Sequence, residues 1–267
     1  MSGSVAGMRG IEVAYDDAGQ GAAVVLLHGF PFDRSMWRGQ SEVLSATCRV
    51  IAPDLRGLGE TPLGGETVTM GGMAEDVAAL LDTLGVERAV LGGLSMGGYV
   101  AFEFLRRFPR RVRALVLSDT RPQADTEEAR RTREENAQRV LRDGMGPLVD
   151  SMLPKLLSDG TREGSPDVVE RVRAMMLGIR PEGAAAALRA MAVRRDQTDL
   201  LPSVDVPTLI VVGAEDSITP PAEAEAMAAK IKGARLVRLE GAAHLSNVER
   251  PEEFNRALAD FVAGLPS

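Results

Sequence analysis

Short apolar runs that alternate with segments of helical periodicity constrain the fold of this chain more than any other feature. Four of these runs lie in the first half of the chain: AVVLL (23–27), RVIAP (49–53), AVLGG (89–93) and VRALVLSD (112–119). They lack the polar alternation of a half-exposed sheet, which predicts buried strands. Segments 69–85 and 99–109 between them have helical spacing and end at Gly85 and Pro109. Strands separated by helices pair in parallel, so we expect an α/β fold with a mostly parallel, twisted sheet flanked by helices.

The alternation stops between residues 121 and 200. That segment holds three helical patterns and no strand pattern: 127–144, 168–178 and 182–194. The first is highly charged, with Glu and Arg three and four residues apart, which predicts a solvated face. Strand patterns resume at 207–216 and 234–244. We therefore predict a core domain of residues 1–120 and 201–267, with residues 121–200 inserted between two strands as a helical cap.

The composition and the net charge argue against several classes of binding partner and binding site. The 267 residues carry a formal net charge of −7, which argues against nucleic acid or an anionic membrane as the partner. The single cysteine, Cys48, excludes an internal disulfide and cysteine-rich zinc sites, and favours a reducing compartment. The first residues lack the apolar core of a signal peptide, and no apolar run is long enough to span a bilayer. We expect a cytoplasmic protein without a metal, as a monomer or a homodimer.

The stretch Gly93-Leu94-Ser95-Met96-Gly97 is typical of an exposed nucleophile. It matches G-x-S-x-G and lies between a predicted strand and a predicted helix. A serine at such a sharp turn adopts a strained backbone, and glycines two residues away remove Cβ clashes. We predict that Ser95 is a nucleophile. The backbone N–H of Met96 would serve the reaction, so its side chain is predicted to be replaceable.

A serine nucleophile needs a base and an orienting carboxylate. The chain has two histidines, and His244 follows the last predicted strand, at the edge where α/β sheets collect catalytic groups. Glu215, Asp216 and Asp119 each follow a strand and are candidates for the acid. The other histidine, His28, is predicted to organise a loop in which the N–H of Phe30 and that of Met96 form an oxyanion hole.

The motifs HGFPFDRSMW, DLRGLGET, GLSMGG, GAEDSITPP and GAAHLSNVERPEEFN resemble the serial landmarks of the α/β-hydrolase superfamily. The resemblance covers the chain from about residue 9 to its end except the helical cap. It is nearest to carboxylesterases, 3-oxoadipate enol-lactonases and cofactor-free haloperoxidase-like arylesterases. It implies Ser95 as nucleophile, Asp216 as acid, His244 as base, oxyanion donors at Phe30 and Met96, and no cofactor.

The branches of this superfamily differ at several motifs, and the motifs of this chain match more than one branch. Dehalogenases and epoxide hydrolases of this fold carry aspartate where this chain has Ser95, so those reactions are disfavoured. The ending GAAHLSNVERPEEF resembles the enol-lactonases. Those enzymes, however, usually lack a His-Gly pair at the position where this chain has His28 and Gly29. A proline after the oxyanion residue, as Pro31 follows Phe30, resembles the arylesterase and perhydrolase branch.

Candidate pocket residues come from the loop after the first buried strand and from the cap. We predict that His28, Trp37, Met145 and Met175 line the substrate pocket, although core packing is an equal alternative for Trp37. Met152, Met176 and Met191 are further cap methionines that either pack in the core or form an adaptable apolar pocket. Other residues near these loops are expected to be structural: Asp54, Arg56, Gly57, Gly59 and Asp76.

These features predict a hydrolase of carboxylic esters or lactones, acylated lactones included, that acts on a small molecule through an acyl-enzyme. The methionines favour a hydrophobic acyl chain or a lactone ring. One alternative is a perhydrolase, in which peroxide replaces water. A second is a ligand receptor of the same fold that turns over poorly.

Overall fold

The computed structural model describes residues 4–8 and 10–266 and contains one eight-stranded sheet. Its strands are β1 (Ser4–Met8), β2 (Ile11–Ala18), β3 (Ala23–Leu27), β4 (Arg49–Pro53), β5 (Ala89–Leu94), β6 (Val112–Ser118), β7 (Thr208–Gly213) and β8 (Arg235–Leu239). They lie in the order β1-β2-β4-β3-β5-β6-β7-β8. The pairs β1–β2 and β2–β4 are antiparallel, and all pairs from β4 to β8 are parallel. The predicted α/β fold with a mostly parallel sheet is confirmed.

Eleven α-helices accompany these strands within the described residues. They are α1 (Arg38–Leu44), α2 (Met70–Thr83), α3 (Met96–Arg107), α4 (Glu127–Asp143), α5 (Gly146–Leu156), α6 (Asp159–Gly164), α7 (Pro166–Leu177), α8 (Pro181–Ala192), α9 (Pro221–Lys230), α10 (Ser246–Glu249) and α11 (Pro251–Ala263). None of the helices in 4–8 and 10–266 is both long enough and apolar enough to cross a membrane.

Burial explains why the central strands could be recognised. Every residue of β3, β5 and β7 is buried, and α3 presents Val100, Phe102 and Phe104 to this core. Apolar side chains on both faces of a strand produce continuous apolar runs rather than alternation. The hairpin of β1 and β2 was not predicted, because β2 carries polar residues that alternate with or follow its buried ones.

Helices α4 to α8 lie between β6 and β7, which are neighbours in the sheet. We call this segment the helical insertion. Helix α4 is more than a solvated face, because Ala137 and Val140 are buried and Glu134 pairs with Arg189 of α8. The insertion therefore has its own interhelical packing.

The topology places the candidate catalytic residues at one edge of the sheet. Ser95 follows β5, Asp119 follows β6, Asp216 follows β7 and His244 follows β8 at a short distance. These four strands are consecutive and parallel, so their carboxyl ends meet at the same edge. The strand order therefore brings the predicted catalytic residues together at this edge.

Candidate active site

Ser95 occupies the sharp turn between β5 and α3. Its backbone has φ 53° and ψ −114°, a region that non-glycine residues rarely adopt. Two neighbours hold it there: the Ser95 N–H donates to the Ser118 carbonyl at 2.9 Å, and Thr120 Oγ1 donates to the Ser95 carbonyl at 2.8 Å. Backbone strain of this kind persists only where surrounding contacts enforce it. Hydrogen bonds from the end of β6 and the residues after it therefore stabilise this turn, in addition to the turn's own residues.

The glycines around Ser95 are required by space. A Cβ on Gly93 would lie 2.3 Å from the Gly97 carbonyl carbon, and a Cβ on Gly97 would lie 2.1 Å from the Leu27 carbonyl oxygen. Both obstacles are backbone atoms that cannot rotate away. The steric role predicted for the glycines of G-x-S-x-G is confirmed.

His244 connects Ser95 to Asp216 through both ring nitrogens. Its Nε2 lies 2.9 Å from Ser95 Oγ, and its Nδ1 lies 2.8 Å from Asp216 Oδ2. A carboxylate can only accept a hydrogen bond, so Nδ1 carries the proton and Nε2 is free to accept from the serine hydroxyl. This arrangement can remove the hydroxyl proton as the oxygen attacks an electrophile.

Asp216 is held as a carboxylate by several donors. Its Oδ1 accepts from the Ile218 and Thr219 N–H groups at 2.8 and 3.0 Å, and its Oδ2 accepts from Thr219 Oγ1 at 2.6 Å. Burial opposes ionisation, but the electrostatic interaction with His244 and the hydrogen bonds from His244 and Thr219 hold the pKa of Asp216 below its ordinary value. Glu215, the neighbouring candidate for the acid, is exposed to solvent. Thr219 was not identified from the sequence.

Asp119, the third candidate for the acid, has a different set of partners. Its backbone is left-handed at φ 45°, its Oδ1 accepts from the Gly213 N–H at 2.8 Å, and its Oδ2 accepts from Ser246 Oγ. Burial raises the pKa of Asp119 well above its ordinary value, and the nearby charge of Asp216 raises it further. Asp119 thus connects the end of β7 to the histidine loop rather than orienting the imidazole itself.

Contacts from the helical insertion fix the loop that carries His244. Glu249 accepts from the Ala243 N–H at 2.7 Å and from the Ser158 N–H at 2.8 Å. The Leu245 N–H donates to the Leu156 carbonyl at 3.1 Å. Glu249 and Ser246 follow His244 within five residues, and neither was identified from the sequence.

The loop after β3 approaches Ser95 through Gly29, where an added Cβ would lie 3.5 Å from Ser95 Cβ. His28 is fully buried, its Nδ1 donates to the Gly29 carbonyl at 2.8 Å, and its Nε2 accepts from the Leu55 N–H at 2.9 Å. Burial lowers the pKa of His28, in agreement with this neutral form. These contacts give His28 the loop-organising position, so its assignment to the pocket wall is corrected. The peptide bond between Phe30 and Pro31 is cis.

Met96 is the first residue of α3, where a backbone N–H has no acceptor within the helix. That position suits the predicted oxyanion donor. Its side chain, however, is fully buried. A smaller residue would leave a cavity in the core, so the predicted replaceability of this side chain stays a prediction for residues of similar volume only.

A cavity of about 430 Å³ lies between Phe30, in the loop after β3, and the helical insertion. Its lining includes Phe30, Leu148, Met152 and Leu188 on its apolar side, and Arg121, Asp125, Arg133 and Asn136 on its polar side. Phe30 directly follows Gly29, so the loop that approaches Ser95 also contributes to this cavity. This polar side was not anticipated from the sequence.

Three of the predicted pocket residues lie elsewhere. Trp37 is buried with its ring centroid 6.0 Å from that of Phe254, so core packing, the alternative reading, describes its environment. Met175 lines a different cleft, between α7 and α1. Met145 is buried where α5 begins. Of the other cap methionines, Met152 lines the cavity, whereas Met176 and Met191 are buried.

Two charged pairs brace the neighbouring loops, as expected for structural residues. Asp54 pairs with the Arg34 guanidinium, and its carboxylate also accepts from the backbone N–H groups of Arg34 and Glu60 at 2.7 and 2.8 Å. Arg56 donates to both carboxylate oxygens of Asp76, at 2.7 and 2.6 Å. Within the described residues, no group of three or more His, Cys, Asp or Glu side chains is placed to share a metal ion.

Known proteins share this architecture over nearly the whole chain. A thermophilic esterase from Thermogutta terrifontis, solved with malate bound, is 43% identical with a TM-score of 0.96, and each chain covers 100% of the other. The enol-lactonase from Burkholderia xenovorans is 31% identical with a TM-score of 0.91, over 97% of this chain and 100% of the other. 3-Oxoadipate enol-lactonase 2 from Acinetobacter baylyi is 31% identical over 88% of this chain and 86% of its own.

The family model described as the alpha/beta hydrolase fold matches residues 22–251. This range begins just before β3 and ends where α11 begins, so it includes the turn at Ser95, the acid loop and His244. Together with the strand order and the arrangement at the sheet edge, the match shows that the chain belongs to the α/β-hydrolase family.

Proposed function

We propose that this protein hydrolyses carboxylic esters or lactones, with Ser95 as nucleophile, His244 as base and Asp216 as the orienting acid. One observation carries the proposal: the unbroken hydrogen-bond series from Ser95 Oγ through His244 to Asp216, at 2.9 and 2.8 Å, on a serine with a left-handed backbone. The similarity to an esterase and to enol-lactonases supports esters and lactones as the substrate class.

Each atom of this series has a task in the reaction. Ser95 Oγ attacks the carbonyl carbon while His244 Nε2 takes its proton, and Asp216 stabilises the resulting imidazolium. The N–H groups of Phe30 and Met96 donate to the oxyanion, a contribution of about 3 kcal/mol per donor. The imidazolium then protonates the leaving alkoxide, which leaves an acyl-Ser95. Water gives a proton to His244 as it attacks the acyl carbon, and the acid leaves as Ser95 recovers its proton.

We further propose that residues 121–200 act as a cap on the core domain. Leu148, Met152 and Leu188 of the helical insertion line the cavity together with Phe30, which stands in the same core loop as Gly29 near Ser95. A wall of this kind excludes water from the reacting carbonyl and selects substrates by shape.

The test is hydrolysis of p-nitrophenyl esters of increasing chain length, beside simple and N-acylated lactones. Ser95→Ala is expected to lower kcat at least about 10³-fold on every substrate that the wild type cleaves, since the nucleophile acts only with its base. Ser151→Ala, on an exposed serine of α5, is the matched control. Full activity of Ser95→Ala on all substrates would overturn the proposal.

Two further measurements separate the alternatives. Bromination in acetate and hydrogen peroxide that exceeds ester cleavage would indicate perhydrolysis. A single turnover that leaves Ser95 stoichiometrically acylated would indicate a receptor.

A further inference from the structure

The loop after β3 carries Phe30, the proposed oxyanion donor, and the residue before it is held at both of its polar backbone groups. The Gly29 carbonyl accepts from His28 Nδ1 at 2.8 Å and from the Phe32 N–H at 3.2 Å. The Gly29 N–H donates to Met36 Sδ, 3.2 Å away. The Gly29 carbonyl and the Phe30 N–H belong to one planar peptide group, so contacts on Gly29 determine where the Phe30 N–H points.

Gly29 needs these contacts because it is a glycine beside the nucleophile. An added Cβ would lie 3.2 Å from a side-chain carbon of Leu94 and 3.5 Å from Ser95 Cβ, so the residue packs directly against the turn that carries Ser95. Glycine has more backbone freedom than any other residue. A Gly29 that was held on one side only would be free to rotate and to turn the next N–H away from the reacting oxygen.

The sulfur of Met36 is an unusual acceptor for a buried backbone N–H. Thioether sulfur accepts weakly, and buried N–H groups normally pair with backbone, side-chain or water oxygens. Gly29 is buried and Met36 is 4% exposed, so bulk water has little access to this N–H. Removal of the sulfur would leave a buried donor without its acceptor, a cost that favours a shift of the loop.

Met36 is itself held from the histidine side of the site. It lies in a short 3-10 helix, Arg34–Trp37, and its carbonyl accepts from Asn247 Nδ2 at 3.2 Å. Asn247 belongs to α10, three residues after His244. It also exchanges two hydrogen bonds with Gln40, each 3.1 Å long. Met36 therefore connects the loop after β3 to the segment that carries the base.

We propose that Met36 is a positioning residue for the oxyanion donor. Its sulfur holds Gly29 so that the Phe30 N–H points at the oxygen of the tetrahedral intermediate. The contribution is specific to the transition state, because negative charge develops on that oxygen only as Ser95 attacks. This inference rests on the proposed function, in which Phe30 is one of two oxyanion donors. Met36 was not identified from the sequence.

The experiment uses two replacements that separate the sulfur from the volume it fills. Met36→Leu keeps a similar volume and removes the acceptor, whereas Met36→Gln keeps the length of the side chain and supplies an oxygen acceptor. Met227→Leu, at a buried methionine of α9, is the matched control. The readouts are kcat and KM for a p-nitrophenyl ester that the wild type cleaves, and the melting temperature.

Met36→Leu is expected to lower kcat about tenfold while KM stays within about twofold, since the lost interaction acts in the transition state. Deletion of an oxyanion donor costs more, about 10²–10³-fold. Met36→Gln should keep kcat about threefold above that of Met36→Leu, although its buried amide should lower the melting temperature further. A purely structural role predicts the opposite order, because activity would then follow stability. Met227→Leu should keep both constants.

Binding of phenylboronic acid, measured by calorimetry, adds a readout that needs no turnover. Ser95 Oγ adds to boron, its proton passes to His244, and a boronate oxygen takes the place of the oxyanion. Met36→Leu should bind the boronic acid about tenfold more weakly than the wild type, and Met227→Leu equally well.

The two proposals fail in different ways. A wild type that cleaves no ester overturns the proposed function, and the boronic acid comparison then decides the positioning role alone. Ester cleavage with an unchanged kcat in Met36→Leu, or with lower activity in Met36→Gln than in Met36→Leu, overturns the positioning role and leaves the hydrolase in place. Equal boronic acid affinity in the wild type and Met36→Leu overturns it whatever the activity.

Discussion

The sheet edge and the helical insertion meet at one cavity, yet they are built in different ways. At the sheet edge, Ser95, Asp216 and Asp119 are each held by several short hydrogen bonds from backbone and side chains. On the insertion side, Arg121 retains a buried N–H without an acceptor among the described residues. Groups that are held by several hydrogen bonds have little freedom to move, whereas the insertion side of the cavity is held less completely. The comparison therefore predicts a rigid sheet edge and a more adaptable cavity wall.

Gly97→Ala is the most severe test of the rigid edge. The new Cβ would lie 2.1 Å from the Leu27 carbonyl oxygen, so α3 or β3 must shift. A displacement of about 1 Å at reacting atoms can cost about 100-fold in rate, and overpacking costs a further 1–3 kcal/mol of stability. Steady-state kinetics and urea unfolding measure the two effects.

Gly146→Ala is the matched control in the insertion. No atom lies within 4 Å of the Cβ position there, and Gly146 begins α5. We expect unchanged kinetics and a stability that is equal or higher by up to about 1 kcal/mol. Similar losses in both variants would contradict the contrast between the regions.

A pair of methionine truncations compares packing in the same two regions. Met96→Ala removes a fully buried side chain at the sheet edge and should lower the free energy of unfolding by about 2–5 kcal/mol. Met152→Ala removes a half-buried side chain from the cavity wall and should cost about 1 kcal/mol. Urea unfolding measures both. Met96→Leu, which conserves volume, should cost less than about 1.5 kcal/mol. Equal costs for the two alanine variants would mean that the insertion wall is as tightly packed as the edge.

Asp119 allows the ionisation state of the edge to be tested. Asp119→Ala leaves the Gly213 N–H and the Ser246 hydroxyl without their partner and should cost about 1–3 kcal/mol. Asp119→Asn keeps both contacts, so its cost near neutral pH should be smaller. The pKa of Asp119 is raised in the fold, so its contribution to stability is complete below its ordinary pKa and is lost as pH rises through the folded value. The free energy of unfolding of Asp119→Asn, relative to wild type, should therefore increase with pH. A decrease would show that the folded protein keeps Asp119 ionised.

Residues at the edge were largely predictable because each follows a predicted strand. Ser95 was identified from its motif after β5, a fully buried apolar run, whereas His244 was identified as one of only two histidines, after the partly exposed strand β8. The choice among Glu215, Asp216 and Asp119 was not decided by position, since all three follow strands. It depends on which carboxylate meets the imidazole at 2.8 Å, and on Thr219, which no strand pattern marks.

The polar cavity wall could not be predicted for a different reason. Its residues, Arg121, Asp125, Arg133 and Asn136, lie in a loop and a helix of a segment without strands. Charged residues at helical spacing usually face solvent, so the Arg- and Glu-rich pattern of α4 predicted a solvated face. Only the packing of α4 against α8 shows which of its arginines turn inward.

The ion pair between α4 and α8 gives the smallest expected effect. Arg189 donates to both carboxylate oxygens of Glu134 at 2.9 Å, but both side chains are nearly half exposed. Hydrogen bonds from Arg189 lower the pKa of Glu134, so the stabilisation is present above the ordinary carboxyl pKa and is lost as pH falls. Arg189→Gln should cost less than about 1 kcal/mol of unfolding free energy at neutral pH, and the difference should shrink in 1 M salt. A salt-independent loss of more than about 2 kcal/mol would show that Arg189 fixes the insertion through hydrogen bonds and packing, as the edge is fixed, and the distinction between a rigid edge and an adaptable wall would then fail.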